Sequence, residues 1–174
     1  MELGIRSAVR DDLAQIVAIY DHYVEHSPAT FDTTPVRTED RLGWLEEHSR
    51  AGPHRLLVAV DDRARVVGWA STSAFRPRPA YSTTVESSVY VAPERQGQGV
   101  GGQLYAELFR SIAREDVRTI VAGVALPNPA SLSLHRRFGF RKVGVFLQVG
   151  RKFDRYWDVA WFQRPLVLDP AVSR

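Results

Sequence analysis

The sequence predicts an α/β (α+β) chain built as one mixed β-sheet with helices on both faces. Three observations carry this. Apolar positions switch between period two and period 3.6 along the chain, giving the order β, α, α, β, β, β, α, β, α, β, β. From Thr84 to Gly102 a strand runs into a glycine-rich loop that opens a helix. Residues Thr119 to Ala125 form a continuous apolar run, the pattern of a strand covered on both sides.

In chain order, Leu3 to Val9 reads as a first strand. Asp11 or Asp12 can cap the helix that follows, whose core face carries Leu13, Ile16, Val17, Tyr20, Tyr23 and Val24. Ser27 to Pro35 is a turn-rich loop with one large apolar residue, Phe31. Thr38 is placed to cap a second helix with Leu42, Trp44 and Leu45, which Gly52-Pro53 ends. Arg55 to Val60 and Arg65 to Ala74 form a hairpin across Asp61 to Ala64. Phe75 to Tyr81, rich in Arg and Pro, is a stiff lead into the central strand. In that strand Val85, Val89 and Val91 share one face, while Glu86, Ser88 and Tyr90 share the other. Pro93 stops pairing, and Leu104, Tyr105, Leu108, Phe109 and Ile112 mark a helix to about Arg114. After the strand at Thr119, Pro127-Asn128-Pro129 introduces a helix from Ala130 to Phe138 that ends at Gly139. Arg141 to Val149 and Tyr156 to Leu166 close the sheet, with Phe153, Trp157, Trp161 and Phe162 suited to a core or to a subunit interface.

At 174 residues with 44% hydrophobic content, the chain is expected to be a single domain over 1–174 with a proper core. It has no cysteine, which excludes a disulfide framework, a thiolate zinc site and a cysteine nucleophile. No leader opens the chain and no apolar run approaches the length of a membrane span, so a cytoplasmic protein is expected. The net charge is +3 with basic residues spread along the chain, so neither a nucleic-acid nor a membrane partner is expected. His22 and His26 lie four apart on the first helix without an evident third ligand, and no metal is assigned.

Strand, glycine loop and helix together make an anion cradle, because glycines admit close backbone approach and a helix N-terminus carries partial positive charge. Two patterns fit the glycines. Gly97-x-Gly99-x-x-Gly102 matches a dinucleotide fingerprint, but the next strand ends without the acidic residue that a ribose needs, and the glycines start late after Val91. Arg95-Gln96-x-x-Gly99-x-Gly101 instead resembles the acetyl-CoA loop of the GNAT N-acetyltransferases. The resemblance extends along nearly the whole chain. It narrows to the phosphinothricin and methionine-sulfoximine acetyltransferases at Ala29-Thr30-Phe31-Asp32-Thr33, Val85 to Val91, His135, Gln148-Val149-Gly150-x-Lys152-Phe153 and Tyr156-Trp157-x-Val159.

The resemblance implies a GNAT fold whose central strands splay to admit acetyl-CoA. It implies backbone contacts from Val89, Tyr90 and Val91, and a pyrophosphate cradle of Arg95, Gln96, Gly97, Gln98, Gly99, Val100, Gly101 and Gly102. Asn128, Ser131 and Arg137 would also meet the cofactor. It further implies a homodimer. Glu86 is the candidate base for an amine that is largely protonated near neutrality. His135 is either an acid toward the departing thiolate or a structural residue at the edge of the site. For a small amino-acid-like substrate, Arg76 or Arg78 can fork to a carboxylate or a polar head, Phe31 can wall its methylenes, and Tyr81 can add a hydroxyl. Acetylation of protein N-termini or lysines, and a non-catalytic acyl-CoA-binding module, stand as alternatives.

Overall fold

The computed structural model describes residues 3–166. Strands β1 (Gly4–Ser7), β2 (Arg55–Val60), β3 (Val66–Ala74), β4 (Thr84–Val91), β5 (Thr119–Ala125), β6 (Arg141–Lys152) and β7 (Arg155–Pro165) form a seven-stranded sheet in the order β1-β2-β3-β4-β5-β7-β6. Every neighbouring pair is antiparallel except β4 with β5. Helices α1 (Leu13–His26), α2 (Leu42–Glu46), α3 (Val100–Ser111) and α4 (Pro129–Arg137) complete the predicted order.

Each helix is held by the apolar stripe that marks it in the sequence. Leu104, Tyr105, Leu108 and Phe109 of α3 pack with Ile112 on Leu57, Ala70, Val85 and Ile120, on one side of the sheet. Ile16 and Ile19 of α1 pack on Leu56, Val58 and Trp69, on the other. Burying a side chain of this size contributes roughly 1.5–3 kcal/mol, so these two layers fix which face of β4 looks toward which helix.

Polar anchors set the helix ends and turns. Asp12 precedes α1, but its carboxylate serves the chain upstream: it accepts from the Val9 amide at 2.8 Å and pairs with Arg6 at 2.6 Å. Burial alone would raise the Asp12 carboxyl; Arg6 and the Val9 amide together hold it below the ordinary carboxylate value. Asp61 turns the β2–β3 hairpin by accepting from the amides of Arg63 and Arg65. Its carboxyl is held down to about 2, chiefly by the Arg65 side chain.

The second helix is shorter than the sequence suggests. Thr38 opens a 3-10 turn and caps nothing with its side chain, and α2 spans only Leu42–Glu46. It ends where the His48 ring donates to the Trp44 carbonyl at 2.6 Å.

The β6–β7 hairpin closes through Phe153 and Asp154, both at φ +54, the geometry of a tight two-residue turn. A bulge interrupts β6 between Phe146 and Gly150, where the Asp158 carboxylate accepts from the Gln148 amide at 2.8 Å. Trp157 and Phe162 of this hairpin are buried core residues. The exposed apolar surface lies instead on β6, at Val143, Phe146, Leu147 and Val149.

Candidate active site

The parallel pair β4–β5 is joined only from Thr84 opposite Thr119 to Glu86 opposite Val121. Beyond that register the strands part. A cleft of about 570 Å³ opens between them, lined by Ser87 to Val91 on one side and Gly123 to Ala125 on the other. A strand end released from its neighbour leaves backbone donors and acceptors in need of a partner, so an extended ligand with amide groups can complete the ladder here.

The glycine loop forms one end of this cleft. Gly99 precedes α3 at φ +81, a conformation costly for L side chains, and a Cβ added there would meet no protein atom within 4 Å. The first intrahelical bond joins the Gln103 amide to the Gly99 carbonyl, which leaves the amides of Val100, Gly101 and Gly102 without an intrahelical acceptor. All three residues line the cleft. The Arg137 guanidinium lies beside Gly102, 3.7 Å from where its Cβ would stand. Open loop, unclaimed first-turn amides and a nearby guanidinium fit the pyrophosphate of a coenzyme.

Glu86 stands where the strands begin to part, opposite Ser73 on β3 and Val121 on β5. It is half-buried. Burial raises its carboxyl above the ordinary value, and the charge of Arg76 draws it partly back down. A carboxylate tuned upward at the mouth of a cleft is suited to accept a proton from an ammonium.

The sequence of residues 16–140 matches the acetyltransferase (GNAT) family. The chain belongs to this family. It is 51% identical over 166 residues to a phosphinothricin N-acetyltransferase of Streptomyces coelicolor, covering 95% of this chain and 97% of that one. It is 39% identical over 173 residues to an L-methionine sulfoximine/L-methionine sulfone acetyltransferase of Pseudomonas paraeruginosa, covering 99% of each. Among solved structures, a phosphinothricin acetyltransferase of Sinorhizobium meliloti in complex with acetyl-CoA superposes with a TM-score of 0.90 at 36% identity, covering 99% of this chain and 93% of that one. The protein is therefore an N-acetyltransferase with the GNAT fold.

In this GNAT enzyme the cleft gathers most of the residues singled out in the sequence: Glu86, Val89, Tyr90, Val91, Arg95, Gln96, Gly97, Gly99 to Gly102, Asn128, Ser131, His135 and Arg137. Of the residues expected to meet the cofactor, Gln98 is the exception. Its side-chain amide donates back to the Glu94 carbonyl at 3.0 Å, and the residue does not line the cleft. Two others carry structural duties. Arg95 pairs with the buried Asp61 carboxylate at 3.1 Å. Asn128 caps α4 by accepting from the Ser131 amide at 3.0 Å.

His135 lies in the floor of the cleft, 3% exposed. Its Nδ1–H donates to the Ser131 carbonyl at 2.7 Å, so Nε2 is left to accept from the Tyr105 hydroxyl at 3.2 Å. Tyr105, fully buried, in turn meets the Ser87 hydroxyl at 3.3 Å. Both ring nitrogens are satisfied in the neutral form, and burial lowers the His135 pKa below its ordinary value.

The residues picked for the substrate lie outside the cleft. Arg76, Arg78 and Tyr81 are exposed on the lead into β4. Arg76 packs its guanidinium 4.5 Å over the Phe75 ring, and Tyr81 sits edge-on to the same ring. Phe31 is seated on Gly150 of β6, where any side chain would collide with its ring. This contact explains why the segments around Phe31 and Gly150 belong together.

The roles of two residues escaped the sequence reading. The Lys152 ammonium, buried at the C-terminus of α1, donates to the carbonyls of Tyr23, Ser27 and Thr30 at 3.2, 2.8 and 2.8 Å. It clamps the Phe31 loop to the β6–β7 hairpin. Tyr23 donates to the Val91 carbonyl at 2.5 Å and accepts from Gln96 at 2.9 Å, tying α1 to the glycine loop. Helical periodicity marks Tyr23 only as core, since its hydroxyl's partner is 68 residues away.

Proposed function

We propose that this enzyme transfers the acetyl group of acetyl-CoA to the α-amine of a small amino acid with a compact polar side-chain head, of the methionine sulfoximine, methionine sulfone or phosphinothricin kind. The parting of β4 and β5 beside Glu86 is the observation that carries it. The relatives named for these substrates, matched over almost the whole chain, support the substrate class.

When bound, acetyl-CoA supplies an acetyl group activated as a thioester. The first-turn amides of α3 and Arg137 would hold its pyrophosphate, and the free edge of β4 from Val89 to Val91 its amide-bearing arm. The chain's own chemistry is then to deliver a neutral amine. Glu86 accepts the ammonium proton, directly or through one water. Arg76, exposed on the lead into β4 and with its charge felt at Glu86, would swing from the Phe75 ring to hold the substrate carboxylate. His135, with both ring nitrogens engaged, shapes the floor of the cleft and keeps Tyr105 in place. Protonating the thiolate asks little of the protein, because a thiol with a pKa near ~8.5 is already a fair leaving group.

We also infer a homodimer. Strand β6 is an edge of the sheet and exposes Val143, Phe146, Leu147 and Val149, a surface that a second copy would cover. A cytoplasmic location goes with an acetyl donor that is an intracellular metabolite.

The test is thiol release with methionine sulfoximine, methionine sulfone, phosphinothricin and methionine at equal concentration, repeated with Arg76→Ala and Arg78→Ala. Turnover of the oxygen-bearing amino acids, with KM raised about tenfold or more by Arg76→Ala, is expected for a lost charge-assisted pair. No turnover of any of the four would refute the substrate class.

A further inference from the structure

Ser73 of β3 stands directly opposite Glu86 of β4 in the antiparallel pair. Opposite residues of such a pair share a face, with Cβ atoms about 5 Å apart, so the Ser73 hydroxyl is within reach of the carboxylate. Glu86 nevertheless receives no proton from it. Burial, and then the charge of Arg76, act on its carboxyl, and no hydrogen bond does.

The reason lies on the far side of Ser73. The His48 ring meets the Trp44 carbonyl at 2.6 Å through Nδ1 and the Ser73 hydroxyl at 3.2 Å through Nε2. A carbonyl only accepts, so Nδ1 carries the hydrogen. The neutral ring then has a bare lone pair at Nε2, and the Ser73 O–H donates to it. The one hydroxyl hydrogen is thereby committed to His48, and only oxygen lone pairs are left to face Glu86. Trp44 fixes the ring a second time, edge-on with centroids 4.9 Å apart.

The charges around this chain of groups favour the same arrangement. Burial lowers the His48 pKa below its ordinary value; the Trp44 carbonyl and Glu47 oppose this, and His54 adds to it. Arg41, 5.5 Å over the Trp44 ring, is 3.6 Å from Asp32. Burial thus acts in opposite senses at the two ends, keeping His48 neutral and making Glu86 easier to protonate.

Resting on the reading of Glu86 as the base of an amino-acid acetyltransferase, we propose that His48 is a positioning residue: its neutral ring captures the Ser73 hydroxyl hydrogen and so denies the Glu86 carboxylate a hydrogen-bond donor. A carboxylate given a donor is stabilised as the anion and becomes a weaker base. One left without a donor keeps its affinity for the proton of an ammonium. A proton on His48 reverses the arrangement: Nε2–H donates to the Ser73 oxygen, and the hydroxyl turns its own hydrogen to Glu86.

Carbon-13 carboxyl and imidazole NMR titrations of the enzyme without substrate, with the Glu86 signal assigned through Glu86→Gln, read this coupling directly. In wild type Glu86 should take up its proton at a higher pH than His48 does. His48→Phe keeps a ring against Trp44 and removes both nitrogens. It should lower the Glu86 pKa by about one pH unit, the worth of one hydrogen bond to a charged group. Adding Ser73→Ala to His48→Phe should return Glu86 to its wild-type titration. The acid limb of kcat for methionine sulfoximine, at saturating acetyl-CoA, should move with the carboxyl in each variant. Should His48→Phe fail to fold by circular dichroism, His48→Leu, which also offers no acceptor, carries the same test. A Glu86 titration unmoved by loss of the imidazole, a shift that the double variant retains, or a His48 that charges before Glu86 is protonated overturns the proposal. A rate profile that stays in place while the carboxyl shifts removes His48 from catalysis. A wild type inactive on methionine sulfoximine refutes the substrate class, while the titrations still decide the link between His48, Ser73 and Glu86.

Discussion

At the level of single residues the proposed chemistry turns on Glu86. The alternation of Val85, Glu86, Ser87, Ser88 and Val89 was enough to place its carboxylate on the face opposite the valines. The nearness of Arg76 was not legible, because it depends on how the lead into β4 folds back. A raised carboxyl acts as a base only above its pKa, so the acid limb of the rate profile should lie above the ordinary carboxylate range. Glu86→Gln should cut kcat about a hundredfold at neutral pH, the modest end of general-base catalysis, and the deficit should shrink at high pH as the free amine accumulates. A pH–rate profile unchanged by the substitution would remove Glu86 from the mechanism. Gly99 makes a separate claim about the cofactor. Its φ of +81 and its open surroundings mean that Gly99→Val strains the loop without striking any protein atom within 4 Å. Calorimetry should therefore show acetyl-CoA affinity at least about tenfold weaker, and unaltered affinity would take the loop out of the cradle. Gln98 shows the limit of motif reading: it sits inside the pattern, but its side chain turns back to Glu94.

Among the elements, strand and helix order was readable throughout, since each core element carries its own period. What the sequence could not reveal was why two distant short segments, around Phe31 and around Gly150, occur together. Lys152 supplies the reason by joining the end of α1 to the tip of the β6–β7 hairpin through three carbonyls. A lysine 122 to 129 residues from its partners leaves no periodic trace. Lys152→Met fills the space but strands the carbonyls, and should cost about 3 kcal/mol, or a Tm fall of about 6–12 °C in a chain of this size. A Tm close to wild type in thermal denaturation would mean that the clamp adds nothing to the fold. The short α2 has a similar origin. Thr38 looks like a cap, but the chain tightens into a 3-10 turn and His48 claims the Trp44 carbonyl before the helix can lengthen.

Across the described residues the sheet parts at a seam and carries an exposed apolar edge. The seam between β4 and β5 is the proposed site of acetyl transfer. The edge is β6, where Phe146 and Leu147 are 59% and 75% exposed. The aromatic hairpin suggested an interface in the sequence, but Trp157 and Phe162 are spent on the core, and the apolar edge lies one strand further out. Sedimentation at micromolar concentration should give the mass of two chains, and Phe146→Glu with Leu147→Glu should shift it to one. A wild-type mass of one chain would contradict the dimer. The central claim, a small amino acid as acceptor, meets its most direct test in a single-vessel competition. Methionine sulfoximine and a peptide with a free N-terminal alanine are mixed at equal concentration with acetyl-CoA and enzyme, and the acetylated products are identified by mass spectrometry. The prediction is that nearly all of the acetyl group appears on the α-amine of methionine sulfoximine; an acetylated peptide as the main product would contradict it.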